Sequence, residues 1–374
     1  MKPSKFVLLS FSLVATFALD GCDEKSQNEI AINHIQVIGS HNSYKQKIEE
    51  PLMKIILEKD SSTIGLDYYH IPIKDQLDLG LRSLEIDALH DPTGGRYKEP
   101  VGITLLREKG IEPQAFDSAN ELAAPGIKVL HVPDIDFRSH CLTFKGCLKE
   151  VKEWSEGHPN HLPIIITINP KNSGLKEPGS TPVLRFTKNV LDSLDQEILS
   201  VFAAQDLITP SSVQGNFETL REAVTTAGWP SLESSKGKVL FVLDAGTEIT
   251  NMYIEGGIAG KPMFPNVPQS DPHAAFLIMN DPKIQQQEIQ ENVKAGFMIR
   301  TRADADTKEA RTDDFSRLEA AIASGAHVIS TDYYLDRLSP SGQFQVDLKA
   351  GKYQRCNPII AGEGCALEKE TKEE

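Results

Sequence analysis

Short apolar runs rich in β-branched residues alternate with helical patterns along most of this chain. Each such run is typical of a buried strand, and the runs cover residues 35–39, 82–89, 128–132, 163–169, 238–244, 275–279, 297–301 and 327–331. Strands and helices that alternate in this way over about 300 residues predict an α/β fold, a single-domain (β/α)8 barrel of the TIM type. A doubly wound open sheet is the alternative, but it usually contains fewer strands.

Two long connections interrupt the alternation. Residues 90–127 follow the second predicted strand and residues 245–274 follow the fifth, and both contain glycine- and proline-rich stretches. In a barrel, the connections that follow the strands lie on the catalytic face. We therefore expect these two loops to shape the mouth of a site.

The composition restricts the classes of partner. Charged residues make up 25% of the chain and the formal net charge is −14, which is typical of a globular protein. A nucleic-acid partner would select for a basic surface, so the acidic balance argues against one. It also argues against simple electrostatic adsorption to anionic lipid. No protein partner is implied.

The N-terminus has the pattern of an export signal. Two lysines precede an apolar run over residues 6–19, which is shorter than the roughly 20 residues needed to cross a bilayer. The run ends in Leu19-Asp20-Gly21-Cys22, which resembles a bacterial lipobox except at Asp20. We expect residues 1–22 to be a signal peptide with lipidation at Cys22, and residues 23–33 to be a tether. The protein would then be lipid-anchored in the bacterial cell envelope, and ordinary signal cleavage and secretion are the alternative.

The remaining cysteines form two close pairs. Cys141 lies near Cys147, and Cys356 lies near Cys365. This spacing predicts two local disulfides, which fits an exported protein. A zinc site is the alternative, although the pairs lack CxxC spacing. The second pair lies in a C-terminal extension, residues 337–374, which follows the predicted barrel domain of residues 34–336.

Residues that bind metal or transfer protons follow the first three predicted strands. His41 and Asn42 follow the first strand, Glu85 and Asp87 lie on the second, and His131 lies on the third. The carboxyl ends of parallel strands meet at one face, so we expect these side chains to converge. Glu85 and Asp87 are two apart and point the same way, and would repel each other without a cation between them. Carboxylate and amide oxygens suit Ca²⁺ or Mg²⁺.

Other chemistry-bearing residues end later strands. Asn169 ends the fourth strand, and Arg300 and Arg302 alternate along the seventh, which suits a phosphate clamp. An arginine–aspartate surface pair with Asp304 is the alternative. For the two carboxylates of the second strand, the alternative is a solvent-facing pair with Arg82 or a lysine.

Several of these segments resemble a known family. The matching segments are Ser40-His41-Asn42-Ser43-Tyr44, Leu84-Glu85-Ile86-Asp87, His131, Gly237 to Asp244, Arg300 to Asp304 and Ser324 to Tyr333. They are similar to segments of phosphatidylinositol-specific phospholipase C, above all its bacterial calcium-dependent branch. The resemblance covers residues 35–334 in order and spacing.

The resemblance implies a barrel with a calcium site in its first half. Asn42, Glu85 and Asp87 would be ligands, and His41 and His131 would flank the phosphodiester. The family cleaves phosphatidylinositol by attack of the inositol 2-hydroxyl on phosphorus, which releases diacylglycerol and a cyclic inositol phosphate. We expect His131 to be the acid and His41 to be the partner of the 2-hydroxyl, with Glu85 as the alternative base.

One position departs from the family. The family usually has a glutamate at the end of the fourth strand, where this chain has Asn169. An amide oxygen can bind Ca²⁺, but the change removes one negative charge and one possible base. We expect weaker calcium binding, a shifted metal preference or lost activity.

Two other functions remain open from the sequence. A glycerophosphodiester phosphodiesterase is also a barrel with a Glu-x-Asp metal site, but it usually has His-Arg where this chain has His41-Asn42. A non-catalytic lipoprotein that binds lipid headgroups is the second, and Asn169 is the residue that favours it.

Overall fold

The strands of the protein form one curled, mostly parallel sheet. The computed structural model describes residues 30–349 and 352–367, so Cys22, the signal peptide, most of the tether and the last seven residues of the extension lie outside the described residues. The strands are β1 Ile35–Ser40, β2 Ser83–Asp91, β3 Gly126–Lys128, β4 Ile164–Pro170, β5 Leu207–Ile208, β6 Val239–Leu243, β7 Met263–Pro265, β8 Phe276–Ile278, β9 Met298–Arg302, β10 Val328–Thr331 and β11 Gln354–Cys356.

The hydrogen-bonded order of the strands is β5-β6-β4-β2-β1-β10-β9-β8. Strand β7 pairs in parallel with β6, whereas β3 pairs antiparallel with β2 and β11 antiparallel with β1. No backbone ladder joins β7 to β8 in the described part of the chain; instead the Ile278 N–H donates to Asn266 Oδ1 at 3.1 Å. The result is an α/β fold with a barrel-like sheet, as the sequence predicts.

The connections supply the helices. They are α1 Glu50–Lys59, α2 Ile73–Asp78, α3 Val101–Glu108, α4 Phe144–Glu156, α5 Lys188–Val201, α6 Pro210–Gln214, α7 Leu220–Thr226, α8 Leu232–Ser235, α9 Thr247–Ile254, α10 Pro282–Lys294, α11 Lys308–Thr312 and α12 Ser316–Ser324. No helix of the described residues has the length and apolar content needed to cross a bilayer.

Residue alternation along the strands separates the core from the site. On β2 and β4, Leu84, Ile86, Ile164 and Ile166 pack in one buried apolar cluster with residues of the flanking helices, such as Val151. The residues between them point to the opposite face, because successive side chains of a strand alternate. The opposite face of these strands therefore carries the polar side chains described below.

The third predicted strand is wrong in position and direction. Strand β3, Gly126–Lys128, overlaps the predicted run of residues 128–132 only at Lys128. It runs antiparallel to the end of β2, with Lys128 opposite Leu89. Val129 and Leu130 are fully buried by packing, and the Val129 N–H donates to the Leu142 carbonyl in a loop. An apolar run of this length can be buried without joining a sheet, and the pattern alone does not distinguish the two cases.

The fifth loop also differs from the expectation. Residues 245–274 are not a loop throughout, because they contain α9 Thr247–Ile254 and the parallel strand β7. This strand pairs with β6, whereas β2 and β4 pair directly with each other at the place predicted for the third run. Its three residues end in Pro265, and so short a run with a terminal proline does not have the pattern of a strand.

Both predicted disulfides are present, and the zinc alternative is wrong. Cys141 lies shortly before α4 and is bonded to Cys147 within that helix. Cys356 is bonded to Cys365 in the C-terminal extension. The extension is part of the barrel core: β11 pairs with β1, and Phe344 packs in the same buried cluster as Ile329 of β10.

Candidate active site

His41 lies directly after β1 and is held on three sides. Its backbone N–H donates to the Thr331 carbonyl at 3.1 Å, and its carbonyl accepts from Nε2 of the buried His70 at 2.6 Å. Its Nδ1 lies 2.9 Å from Oδ1 of Asp332. Because a carboxylate only accepts, Nδ1 carries the proton and Nε2 is the basic nitrogen.

The surroundings of His41 favour its neutral form. Burial and the nearby Arg302 hold the pKa of His41 well below its ordinary value, although the charge of Glu85 opposes them. Burial disfavours a charged imidazole, and a neighbouring guanidinium repels it. His41 is therefore neutral at pH 7, with an acceptor nitrogen at Nε2.

His131 forms a second histidine–aspartate pair. Its Nδ1 lies 2.7 Å from Oδ2 of Asp136, which also lies 3.3 Å from the ammonium of the buried Lys45. The ring of Tyr68 packs near both histidines: its centroid is 5.7 Å from that of His41 and 6.2 Å from that of His131. The structure thus brings the two predicted histidines to one site, although His131 reaches it from a turn rather than from a parallel strand.

Glu85 is buried on the inner side of β2. Arg300 of β9 donates to its Oε2, and its Oε1 lies 3.9 Å from Nε2 of His41. Burial opposes ionisation of this carboxyl, but the charge of Arg300 holds the pKa of Glu85 below its ordinary value. Glu85 is therefore an anion at neutral pH, and the solvent-facing alternative is wrong for it.

Asp87 is fully buried and faces Lys171. Its Oδ2 accepts from the Tyr44 hydroxyl at 2.7 Å and lies 2.8 Å from Nζ of Lys171. Its Oδ1 has no hydrogen-bond partner among the described residues. Burial raises the pKa of Asp87 above its ordinary value, although Lys171 opposes this. A second cation on Oδ1 would satisfy a buried oxygen that is otherwise costly.

Asn42 presents a second buried oxygen of this kind. Its backbone is left-handed, with φ of 48°, a conformation that asparagine tolerates better than most residues. The side-chain Nδ2 donates to the Tyr68 hydroxyl at 2.7 Å, so Oδ1 points elsewhere and has no partner in the described structure. An amide oxygen fixed in this way is a suitable ligand for a hard cation.

Asn169 lies beside Asp87, in register with it across the β2–β4 ladder. The described residues contain no group of three or more histidine, cysteine, aspartate or glutamate side chains placed to bind a metal. A cation site here must therefore include amide oxygens. The orphaned oxygens of Asn42 and Asp87, the carboxylate of Glu85 and the amide of Asn169 fit Ca²⁺ in ligand type.

The two arginines of β9 have different surroundings. Arg300 donates to Asn280 at 3.0 Å and to Ser330 at 3.1 Å as well as to Glu85. Arg302 donates to Asp332 at 3.1 Å, and its Nε has no partner among the described residues. The alternative of a surface pair is wrong in its location, because both guanidinium groups are mostly buried.

A second aspartate lies behind Asp332. The Asp332 N–H donates to Asp304, and the Thr331 hydroxyl donates to the same carboxyl. Burial and the charge of Asp332 raise the pKa of Asp304 to about 7, although Arg302 opposes them. The guanidinium of Arg302 thus lies beside the carboxyls of Asp304 and Asp332. It orients Asp332, which contacts His41.

Sequence reasoning did not assign a role to four residues of this site. They are Asp332, Asp136, Tyr68 and Lys171. Asp332 follows the last predicted strand, so its position at a strand end could have indicated it. Lys171 likewise follows β4 directly, whereas Asp136 and Tyr68 lie in loops, where no local pattern distinguishes them from ordinary surface residues.

Comparison with known proteins identifies relatives of this arrangement. The family model described as Ca²⁺-dependent phosphoinositide phospholipase C matches residues 30–358. No curated protein matches the chain. Among solved structures, a calcium-dependent phosphoinositol-specific phospholipase C from Pseudomonas sp. has a TM-score of 0.53 at 17% identity, covering 88% of this chain and 96% of that one. A Ca²⁺-dependent phosphatidylinositol-specific phospholipase C from Streptomyces antibioticus has a TM-score of 0.52 at 17% identity, covering 82% and 95%.

At 17% identity, the two solved structures show only that this chain shares their fold. The family model covers most of the chain, so it shows the family. The match disfavours the glycerophosphodiester phosphodiesterase and the non-catalytic lipoprotein. The chain belongs to the family of Ca²⁺-dependent phosphoinositide phospholipases C, a class of phosphodiesterases.

Proposed function

We propose that this protein cleaves phosphatidylinositol, or a related inositol phosphodiester, with His41 as the base and His131 as the acid. The observation that carries the proposal is that both histidines pack near the same ring, that of Tyr68. Each histidine has its Nδ1 against an aspartate, so Nε2 is the ring nitrogen that each can offer to a substrate. Two oriented imidazoles allow one proton to be accepted and another donated in a single displacement.

The first half of the reaction is the attack on phosphorus. Nε2 of the neutral His41 accepts the proton of the inositol 2-hydroxyl while that oxygen bonds to phosphorus. Asp332 holds the ring by its Nδ1 and stabilises the imidazolium that forms. Glu85, 3.9 Å from Nε2, adds a further stabilising charge and remains the alternative base.

The second half is the departure of the lipid. The bond between phosphorus and the glycerol oxygen breaks, and His131 in its protonated form donates a proton to that oxygen. The products are diacylglycerol and a cyclic inositol phosphate. Asp136 holds the His131 ring by its Nδ1, and Lys45 contacts the same carboxylate oxygen of Asp136.

The phosphate is bound by cations around the histidines. Arg302 is the better candidate of the two arginines, because its Nε has no partner among the described residues whereas Arg300 is committed to Glu85. Asn42, Glu85, Asp87 and Asn169 would hold a calcium ion, which would neutralise phosphate charge and ease ionisation of the 2-hydroxyl.

Phosphorus NMR tests the function. The mature protein is incubated with phosphatidylinositol vesicles or with glycerophosphoinositol, in the presence of Ca²⁺ or a chelator. A cyclic phosphate signal that requires Ca²⁺ supports the proposal. A linear monophosphate formed from the water-soluble diester would support the glycerophosphodiesterase instead, and headgroup binding without turnover would support the non-catalytic lipoprotein.

We also propose that the protein is exported and anchored to a membrane through a lipid on Cys22. The support is the short apolar run with its lipobox-like end, and the presence of two disulfides, which form in oxidising compartments. An anchored enzyme would be held near its lipid substrate. Metabolic labelling with a fatty-acid probe should mark the wild type but not Cys22→Ser, and equal labelling of both would contradict the proposal.

A further inference from the structure

Lys171 places a cation of the chain itself against one of the proposed calcium ligands. Its Nζ lies 2.8 Å from Oδ2 of Asp87. Its backbone is fixed, because the Lys171 N–H donates to the Ala88 carbonyl of β2 at 2.9 Å. The ammonium therefore lies beside Asp87 because of the strand pairing itself, and only its side chain can change position.

The charges of the site are already balanced. Arg300 pairs with Glu85, and Lys171 pairs with Asp87. Asn169, in register with Asp87, adds no charge. A calcium ion bound by these residues would therefore lie close to two cationic side chains of the protein, and like charges at such distances repel strongly in a buried site.

Arg300 and Lys171 differ in how easily each side chain can leave the carboxylate that it contacts. The Arg300 side chain is 3% exposed and has Asn280 and Ser330 as further partners. The Lys171 side chain is 24% exposed and pairs with Asp87 alone among the described ion pairs. Lysine is a flexible chain with a strongly hydrated head group, so it can move to water at low cost.

We propose that Lys171 is an internal competitor of calcium, which leaves Asp87 when the ion binds and thereby sets the calcium affinity of the site. This inference rests on the proposed ligand role of Asp87. It also gives a physical reason for the combination of Asn169 and Lys171, two positions apart at one strand end. The amide in place of a carboxylate and the ammonium beside Asp87 both weaken calcium binding.

Calorimetric titration of the metal-free protein with CaCl₂ tests the competition. We expect Lys171→Met to bind calcium on the order of tenfold more tightly than the wild type, since the ion no longer has to displace a partly exposed ion pair. Lys188→Met, which removes an exposed lysine paired with Glu255, is the matched control and should bind as the wild type does. Asp87→Asn should abolish measurable binding.

Lysine footprinting on the wild-type protein gives a second readout that needs no variant. Acetylation of Lys171, measured by mass spectrometry, should rise several-fold at saturating Ca²⁺, because the ammonium then lies in water. Acetylation of Lys188 should not change. This measurement decides the question if Lys171→Met fails to fold, and Lys171→Gln offers a milder substitution for the titration.

The outcomes separate the two hypotheses. If Asp87→Asn abolishes binding but Lys171→Met binds no more tightly than the wild type, the competition is overturned and the ligand assignment stands. Unchanged Lys171 acetylation at saturating Ca²⁺ overturns the competition in the same way. If Asp87→Asn binds calcium as the wild type does, the ligand assignment fails, and the inference fails with it.

Discussion

Nδ1 of His41 lies 2.9 Å from Oδ1 of Asp332, although 291 positions separate the two residues in the chain. Strands β1 and β10 are neighbours in the sheet, with Ser40 in register with Thr331, so the residues that follow them meet. The pairing of the first and last parallel strands therefore creates the dyad. Any base chemistry at His41 depends on this closure of the sheet.

Removing the charge of Asp332 should lower the rate of the chemical step. Asp332→Asn can donate to Nδ1, which favours the tautomer with the proton on Nε2 and removes the basic nitrogen. We expect kcat to fall by about 10²- to 10⁴-fold with a small change in KM. Steady-state assays with phosphatidylinositol measure this. The exposed Asp306→Asn is the control, and equal kcat values for both variants would contradict the dyad.

Replacing each histidine should distinguish the acid from the base. His131→Ala should lose about 10²- to 10⁴-fold in kcat on phosphatidylinositol, but far less on an inositol phosphodiester with a nitrophenolate leaving group, because that group needs no proton. His41→Ala should lose activity on both substrates. The reverse pattern, with only His41→Ala rescued, would exchange the two assignments.

Restoring a carboxylate at position 169 should tighten calcium binding. Asn169→Glu places a third negative charge in register with Asp87, and calcium affinity rises with the number of charged ligands. We expect the dissociation constant to fall on the order of tenfold in calorimetric titration. Asn169→Gln keeps the amide and is the matched control. Unchanged affinity in Asn169→Glu would remove position 169 from the ligand set.

Asp195 should make the stability of the protein depend on pH. Its carboxyl accepts from the Tyr253 hydroxyl at 3.0 Å, away from the active site, and burial raises its pKa to about 6 from 3.8 although Lys261 opposes this. A pKa that is higher in the folded state favours the protonated protein. The stabilisation is therefore full below about pH 4 and is lost as the pH rises through 6.

Asp195→Asn removes this titration and keeps the oxygen that accepts from Tyr253. Relative to the wild type, its free energy of unfolding should rise by about 1–3 kcal/mol between pH 4 and pH 7. Urea denaturation across that range measures the difference. Glu248→Gln, in an exposed pair with Arg185, should follow the wild type. A constant difference between Asp195→Asn and the wild type would refute the raised pKa.

Strand-end residues were predictable where local pattern and sheet pairing agree. Glu85 and Asp87 lie within a long buried run whose alternation places both on one face, so their shared orientation follows from the sequence alone. His41 and Asn42 follow a similar run. His131 reaches the same site for a different reason: it lies in a turn beyond an antiparallel strand, and its position depends on Asp136 and Tyr68.

The sequence by itself determined the strand–helix alternation, the two disulfide pairs and the residue types of the site, because these depend on local periodicity and spacing. Only the tertiary structure decided which partners surround them. Asp332, Asp136 and Lys171 are brought to His41, His131 and Asp87 by contacts that no local pattern encodes. Those contacts arise from sheet closure and loop packing, which depend on residues far apart in the chain.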